Sequence, residues 1–462
     1  MGTCRTPRRA HVTAVRVLRL AAGGDGVAKL DDGRTVFIPR TAPGDLVELT
    51  RLRTHRRFAR ARVGRVLEAG PDRTPPRCPH YAGDDCGGCQ LQHLTDDAQR
   101  DARRGFVGDA LRRIAHLDLA DPAIVAAGRQ WGYRTKLTLH PSADRRRIGL
   151  HPLDRPDDVF DMRVCPITAD QLMAVWPLLS RLRHLLPEGL EHLVLRLDRT
   201  GRRHVIARVR GGRLWTHAAE LARALDAEGV PATLWWQPEG GAARAVAGSD
   251  EAFPATAFEQ VHPAMGDLVR TAALGRLGDM GGRMGWDLYA GLGQTTERLA
   301  LAGATVHSVE SDVRAVAHAA REHGGARPDP RIVRHAARVE DVLDQLPDPA
   351  GVITNPPRVG MDPRVTAALA SRAPERIVYI SCDPATLARD VGRLTGYRVA
   401  DVRAYDLFPQ TAHVETLTVL ARACRPSSRW AGARPRSTWT GTMSWSPASG
   451  YRRRCARCPA PR

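Results

Sequence analysis

Apolar and polar positions keep three different rhythms along the 462 residues of this chain. Over 12–67, short β-branched and apolar runs (12–20, 27–30, 35–38, 46–52, 59–67) are separated by the turns Gly23-Gly24-Asp25-Gly26, Asp32-Gly33 and Pro43-Gly44-Asp45. Short strands at that spacing predict a small β-barrel across 11–68. Gly70-Pro71 and Pro75-Pro76 then mark a linker. Residues 74–260 mix the two periods, as an α+β domain does. From 261 to 421, apolar strands alternate with helical stretches, the signature of a doubly wound parallel sheet. Past Ala423 the periodicity ends in a stretch rich in Pro, Ser, Arg and Trp, so 422–462 is expected to be a disordered basic tail. The expected fold is multidomain: an OB-like β-barrel, a central α+β domain and a C-terminal α/β, Rossmann-like domain.

Charge adds a partner to this picture. The net charge is +19, but residues 1–70 hold 15 Lys/Arg against 6 Asp/Glu, and residues 421–462 hold 10 Arg and no acid. The 350 residues between them are neutral on balance. Lys occurs only at 29 and 136, so coding bias explains why Arg replaces Lys, but not the local excess over acid. Two basic ends around a neutral middle suit a polyanion, most simply nucleic acid. Arg51, Arg53, Arg56, Arg57, Arg60 and Arg62 crowd one late hairpin of the barrel as a phosphate track. No apolar run approaches the ~18 residues of a membrane span. Arg5, Arg8 and Arg9 are not followed by the apolar core of a signal peptide. Nine cysteines argue against a disulfide scaffold, and the chain is expected to be cytoplasmic.

The cysteines are grouped instead. Cys78-x7-Cys86-Gly-Gly-Cys89 puts three thiols in a Gly- and Asp-rich loop, with Cys165 available as a fourth. Four thiolates suit structural zinc or an iron–sulfur cluster, and spacing alone does not choose between them. Cys455-x2-Cys458, in the tail, has no partner pair and is not expected to bind metal.

The C-terminal domain carries chemistry at its strand ends. Trp286-Asp-Leu-Tyr289-Ala-Gly291-Leu-Gly293-Gln294 is a strand ending in a glycine turn that lets backbone approach a ligand. Glu310 ends the next strand, nineteen residues after Gly291, where an acid can accept hydrogen bonds from a ribose diol. Asn355-Pro356-Pro357-Arg358 follows a third strand, as a stiff loop suited to holding a flat base. After a fourth strand, 376–380, come Ser381-Cys382-Asp383-Pro384-Ala-Thr-Leu-Ala-Arg389-Asp390. Phe408-Pro-Gln-Thr-Ala-His413-Val-Glu415-Thr416 leads into a last one. A thiol and a carboxylate on neighbouring strand ends suit a nucleophile and a base around one substrate. With the cofactor-type strand ends before them, they read as an S-adenosylmethionine methyltransferase.

Together D-L-Y-A-G-L-G, N-P-P-R-V-G, Y-I-S-C-D-P-A-T-L-A-R-D and D-L-F-P-Q-T-A-H-V-E-T, preceded by C-x7-C-G-G-C, resemble the RNA (uracil-5-)-methyltransferases over about 11–421. The barrel resembles their TRAM domain, an RNA-binding module. The resemblance implies that Cys78, Cys86, Cys89 and Cys165 hold a [4Fe–4S] cluster in the central domain. It implies S-adenosyl-L-methionine contacts from Gln260, Tyr289, Glu310 and Asn355, with Cys382 as nucleophile and Glu415 as base. The chain departs from the family where Asn355 replaces a usual Asp, where Glu259 stands in place of a frequent aromatic, and where His335-Ala-Ala337-Arg338 lacks an Asn or Asp.

On this reading the Cys382 thiolate adds to C6 of a uridine and Glu415 later removes the C5 proton. Arg358, Arg389 or a helix N-terminus is expected to lower the thiol pKa. The expected partner is structured RNA, with 23S ribosomal RNA favoured over the tRNA T-loop, and neither a membrane nor an obligate protein partner is indicated. The competing readings are an exocyclic-amine methyltransferase, an iron–sulfur oxidoreductase and a degenerate, non-catalytic RNA-binding protein. The first needs no thiol, and the second leaves the Cys382 and Glu415 motifs without a task.

Overall fold

A computed structural model describes residues 13–249, 253–324 and 329–423. The expected tail beyond Ala423, with Cys455 and Cys458, lies outside the described residues. Strands β1 (Ala14–Arg16), β2 (Arg19–Leu20), β3 (Gly26–Lys29), β4 (Thr35–Ile38), β5 (Leu46–Thr54) and β6 (Phe58–Glu68) make one curled sheet in the order β1-β5-β6-β4-β3-β2. Period-two alternation turns Val15, Val36, Ile38, Val47 and Ala59 into its core. The β5–β6 hairpin leaves Arg51, Arg53, Arg56, Arg57 and Arg60 exposed. Arg62 does not belong with them. Its guanidinium turns inward to Asp85 at 3.2 Å and to the carbonyl of Leu153 at 2.9 Å, because the loop beneath the barrel offers acceptors that water would otherwise satisfy.

Residues 74–260 are divided between two sheets. The helix Asp96–Arg113, capped by Thr95, packs on the C-terminal helix Pro384–Arg393, and β7 (Ala123–Val125) pairs in parallel with a C-terminal strand. The rest builds a sheet of its own from β8 (Lys136–Pro141), β9 (Ile148–Leu150), β10 (Phe160–Asp161), β11 (Leu190–Leu197), β12 (Arg203–Val209), β13 (Ala232–Pro238) and β14 (Arg244–Ala247). Its order is β10-β9-β8-β11-β12-β13-β14. One face buries Leu139, Leu193, Leu195 and Trp176 together with the cysteine loop.

The C-terminal sheet contains β15 (Met284–Leu288), β16 (Thr305–Glu310), β17 (Ile332–Ala336), β18 (Gly351–Thr354), β19 (Arg376–Ser381), β20 (Tyr397–Tyr405) and β21 (Glu415–Arg422), ordered β17-β16-β15-β18-β19-β21-β20-β7. The expected parallel pairing holds from β17 to β19. β21 then runs antiparallel between β19 and β20, because consecutive strands joined by a short connection close as a hairpin. The chain changes winding direction at β15 and β18, so a crevice opens beyond their carboxyl ends. That connection, 406–414, is locked by a fully buried ion pair: Arg103 meets Asp406 at 2.9 Å and donates to the Thr411 carbonyl at 2.9 Å. Removing either charge strands the other in a dry interior, at a cost of about 3–5 kcal/mol. Among the described residues no helix is long and apolar enough to cross a membrane.

Candidate active site

Register brings the thiol and the carboxylate together. Ser381 on β19 pairs with Thr416 on β21, so Cys382 and Glu415 take the next cross-strand position. Both line a cavity of about 830 Å3 that also contains Gln260, Tyr289, Gly291, Glu310, Asn355 and Arg358. Every expected nucleophile, base and cofactor residue thus opens onto one space.

Local geometry shows how each is held. Tyr289 has φ 61°, followed by Gly291 at 57° and Gly293 at 74°. Three left-handed residues in five bend the chain sharply off β15, and the non-glycine one carries strain of order 1–3 kcal/mol. The Gly291 amide donates to Glu310 at 2.9 Å, and the Asp312 amide reaches the other Glu310 oxygen at 2.8 Å. Asp383 caps the helix Pro384–Arg393 through the amides of Ala385 and Thr386, which fixes Cys382 just before the cap. Fully buried Asp390 accepts from the Met361 amide at 2.8 Å and from the Tyr379 hydroxyl at 2.9 Å. It thereby ties the Asn355–Gly360 loop to the strand that carries Cys382.

The electrostatics correct one expectation. Burial and the Glu415 charge push the Cys382 thiol up to about 11, with Arg358 only partly opposing them. Arg358 does pull it down as expected, but burial, Glu415 and Asp383 at the helix start outweigh that pull, so the net direction is upward. Burial alone pushes Glu415 up to about 8, again against Arg358, and one of its oxygens finds no partner. In the free protein at neutral pH, both groups therefore keep their protons.

The same cavity uses residues that sequence reasoning missed. Arg134 reaches it from the central segment, and Phe258, Arg338 and Phe408 line it as well. Phe408 sits inside the last strand-end motif and Arg338 in the segment 335–338 where the chain departs from the family, but nothing local marks Arg134. Asp287 is buried under the glycine turn, bonded to the Thr296 hydroxyl at 2.6 Å and raised by burial to about 7.

A second cavity, of about 330 Å3, is lined by Cys78, Cys86, Cys89 and Cys165, and Arg134, Arg358 and Phe408 belong to both. All four thiols are buried and free of disulfides. Burial raises Cys78, Cys86 and Cys89, and the neighbouring Cys165 thiol adds to each rise. The Gly88 amide lies 3.4 Å from Cys86 Sγ, and amides of His80 and Tyr81 serve Cys78. His80 Nε2 accepts from the amides of Arg163 and Val164, which pins the chain leading to Cys165. Arg40, at the end of β4, reaches the carbonyls of Tyr81 and Cys86 from the barrel. Among the described residues, no group of three or more His, Cys, Asp or Glu converges to hold a metal ion.

Comparison with known proteins agrees with this layout. The family model for tRNA (uracil-5-)-methyltransferases matches residues 307–423, and that for TRAM domains matches 11–63. A 23S rRNA (uracil(1939)-C(5))-methyltransferase of Azoarcus sp. (strain BH72) is 32% identical over 434 residues, covering 86% of this chain and 97% of its own. An uncharacterized RNA methyltransferase of Corynebacterium efficiens is 31% identical over 423 residues, covering 88% and 94%. Among solved structures, a Pyrococcus abyssi tRNA (uracil-54, C5)-methyltransferase in complex with S-adenosyl-L-homocysteine superposes with a TM-score of 0.65 at 22% identity, over 88% of this chain and 99% of that one. With a TRAM domain at its start, a methyltransferase fold at its end and relatives matched nearly end to end, the chain belongs to the S-adenosylmethionine-dependent RNA (uracil-5-)-methyltransferases.

Proposed function

We propose that this enzyme methylates C5 of one uridine in 23S ribosomal RNA through a covalent adduct between Cys382 and C6 of the base. The ribosomal substrate is supported by relatives named for that RNA at similar identity in Azoarcus and Aromatoleum. The observation that carries the chemistry is the placement of Cys382 and Glu415 on adjacent strand ends facing one cavity. Gln260, Tyr289, Glu310 and Asn355 would hold S-adenosylmethionine, which supplies an electrophilic methyl group when bound. The cavity fits that task because a glycine turn gives access to backbone and Glu310 offers a positioned carboxylate.

The steps then fall to the chain's own groups. Both groups act in their ionised forms, their protons having passed to solvent: the Cys382 thiolate forms a bond to C6, and the pair of electrons from the C5–C6 double bond moves to C5 and O4 as an enolate. C5, now nucleophilic, takes the methyl group. Glu415 removes the C5 proton, the double bond reforms, and the sulfur leaves as thiolate. A base of this kind contributes roughly 10²–10⁴-fold. The target must first leave its stack, at a cost of a few kcal/mol that is smallest in loops. The exposed barrel arginines offset it through phosphate contacts, consistent with cytoplasmic work on ribosomal RNA.

Four thiols around a cavity of this volume, with amides directed at sulfur, suit a [4Fe–4S] cluster better than a single ion. Cys78, Cys86, Cys89 and Cys165 would hold it in a structural role. The test of the whole reading is incubation with 5-fluorouridine-containing 23S RNA. A denaturation-stable protein–RNA complex is expected from the native enzyme and none from Cys382→Ala. A complex formed equally well by Cys382→Ala would remove the thiol from the reaction. A complex formed only with transfer RNA would move the substrate.

A further inference from the structure

Glu259, a residue that the family resemblance leaves without a role, sits in an ion-pair chain reaching from the central sheet to the glycine turn. Arg196 on β11 is almost fully buried and donates to the carbonyls of Ala255 at 2.9 Å and Ala257 at 2.8 Å. It also meets Glu259 at 3.2 Å, while its guanidinium lies over the Phe253 ring at 4.8 Å. The other oxygen of Glu259 takes Arg199 Nε at 2.7 Å. Arg199 spends its remaining nitrogens on two further elements: Asp267 in the helix Pro263–Leu277 at 3.1 Å, and Gln294 Oε1 at 3.2 Å. Gln294 opens the helix that follows Gly291 and Gly293, and Gln260 directly follows Glu259. One planar guanidinium therefore holds three segments: the strap carrying Gln260, the helix beneath it and the turn bent by Tyr289, Gly291 and Gly293. A fork of five donors in fixed geometry can do this, whereas a flexible ammonium cannot.

We infer that Arg199, fixed by Glu259 and Asp267, is a positioning residue that sets the relative placement of Gln260 and the glycine turn. Through it the central sheet controls S-adenosylmethionine affinity. Arg199 lies beside the outer wall of the turn, in a separate polar recess with Asp198, Thr200 and Gln294, and does not line the large cavity. Its effect is therefore on binding geometry rather than on the reacting atoms. Arg199 and Asp267 are partly exposed and Glu259 is nearly buried, so the chain is held more firmly at its centre than at its ends.

This inference rests on the cofactor site proposed above, and the experiment separates the two. Full-length native protein, Arg199→Gln, Glu259→Gln, the double variant and Gln260→Ala are titrated with S-adenosylhomocysteine by calorimetry, and each is melted without ligand. Each single relay variant is expected to bind about 10-fold more weakly, within the range of coupled contacts. The double variant is expected to lose far less than the product of the two, with melting close to native. In turnover, KM for S-adenosylmethionine should rise while kcat stays within about 2-fold, because the lost binding is uniform. Native affinity in both relay variants alongside weakened Gln260→Ala would overturn the relay and leave the site standing. Native affinity in all of them would overturn the site itself. Multiplicative losses accompanied by lower melting would reduce Arg199 to a general structural contact. Because Arg199→Gln could unfold the strap, Gln294→Ala is melted and titrated in parallel. It deletes only the last link and should reproduce a smaller share of the KM effect, while an unchanged KM would sever the turn from the relay.

Discussion

Two cavities share a wall in this enzyme, and in each the same element, sulfur, stands in different company. Around the smaller one, four thiols are buried together, with burial raising Cys78, Cys86 and Cys89 and backbone amides directed at Cys78 and Cys86. Around the larger one, a single half-buried thiol faces a carboxylate and an arginine. Residue type does not separate the two. Company does: on the reading proposed above, thiols gathered around a cavity with amide donors would share an inorganic group, and the thiol opposite a carboxylate would make and break one bond. Arg134, Arg358 and Phe408 stand between them, so the wall that closes one cavity also shapes the other.

The comparison is broken most severely by exchanging a serine for one thiol on each side. On the cluster reading proposed above, the purified protein should carry iron and sulfide with brown absorbance, and Cys89→Ser is expected to abolish all three and to lower the melting temperature sharply, because Cys89 belongs to the central core. Cys382→Ser should keep all three and lose methylation and the 5-fluorouridine adduct entirely. If Cys89→Ser kept iron and stability, the four thiols would not be a cluster site. If Cys382→Ser lost iron, the two cavities would not be functionally distinct.

Glu415→Gln comes next. Turnover should fall by roughly 10²–10⁴-fold while the covalent adduct accumulates, because only the proton removal after methyl transfer is impaired. A second readout has the opposite direction. The Glu415 charge helps to raise the thiol, so the neutral variant should be alkylated by iodoacetamide faster than native at alkaline pH. Stability follows the sign of linkage. A carboxyl raised from 4.5 to about 8 holds its proton longer in the folded state than in the unfolded one. Its contribution is fully present below the unfolded value and is lost as pH rises towards 8. Glu415→Gln should therefore melt above native near pH 8, with the gap closing towards pH 4.5. A variant less stable than native at alkaline pH would show that the buried carboxylate is satisfied after all.

Much of the larger cavity was legible in the sequence, because strand ends of a doubly wound sheet are marked by apolar runs that stop at polar motifs. Cys382 follows the run 376–380 after Ser381, and Glu415 opens the last one, so their proximity needed only the pairing of those two strands. The walls were less legible. β7 is three residues long with no clear alternation, and its place in the sheet is decided by Tyr405 and Arg403 nearly 300 residues later. Arg134 reaches both cavities through the docking of the central sheet, which no local pattern records. Arg62 reads as a free phosphate contact until Asp85 and the Leu153 carbonyl are seen beneath it. The direction of the thiol pKa was misjudged for the same reason: the arginines are visible in the sequence, but burial and the facing carboxylate belong to the fold.

The smallest effect tests the shared wall. Arg358 pulls both Cys382 and Glu415 down, and it also lies 3.4 Å from His413, whose imidazole is driven to about 4 by burial and by Arg358 itself. His413 is therefore neutral at working pH and cannot take over as the cation when Arg358 is removed. Arg358→Gln should consequently slow iodoacetamide labelling of Cys382 at about pH 8 by roughly an order of magnitude, since a nearby opposite charge moves a pKa by about one or more. Iron content should not change, because the guanidinium is not a ligand. Labelling at the native rate would mean that the thiol is governed by burial and Glu415 alone. Loss of iron would mean that the wall serves the cysteine cavity first and the reaction second.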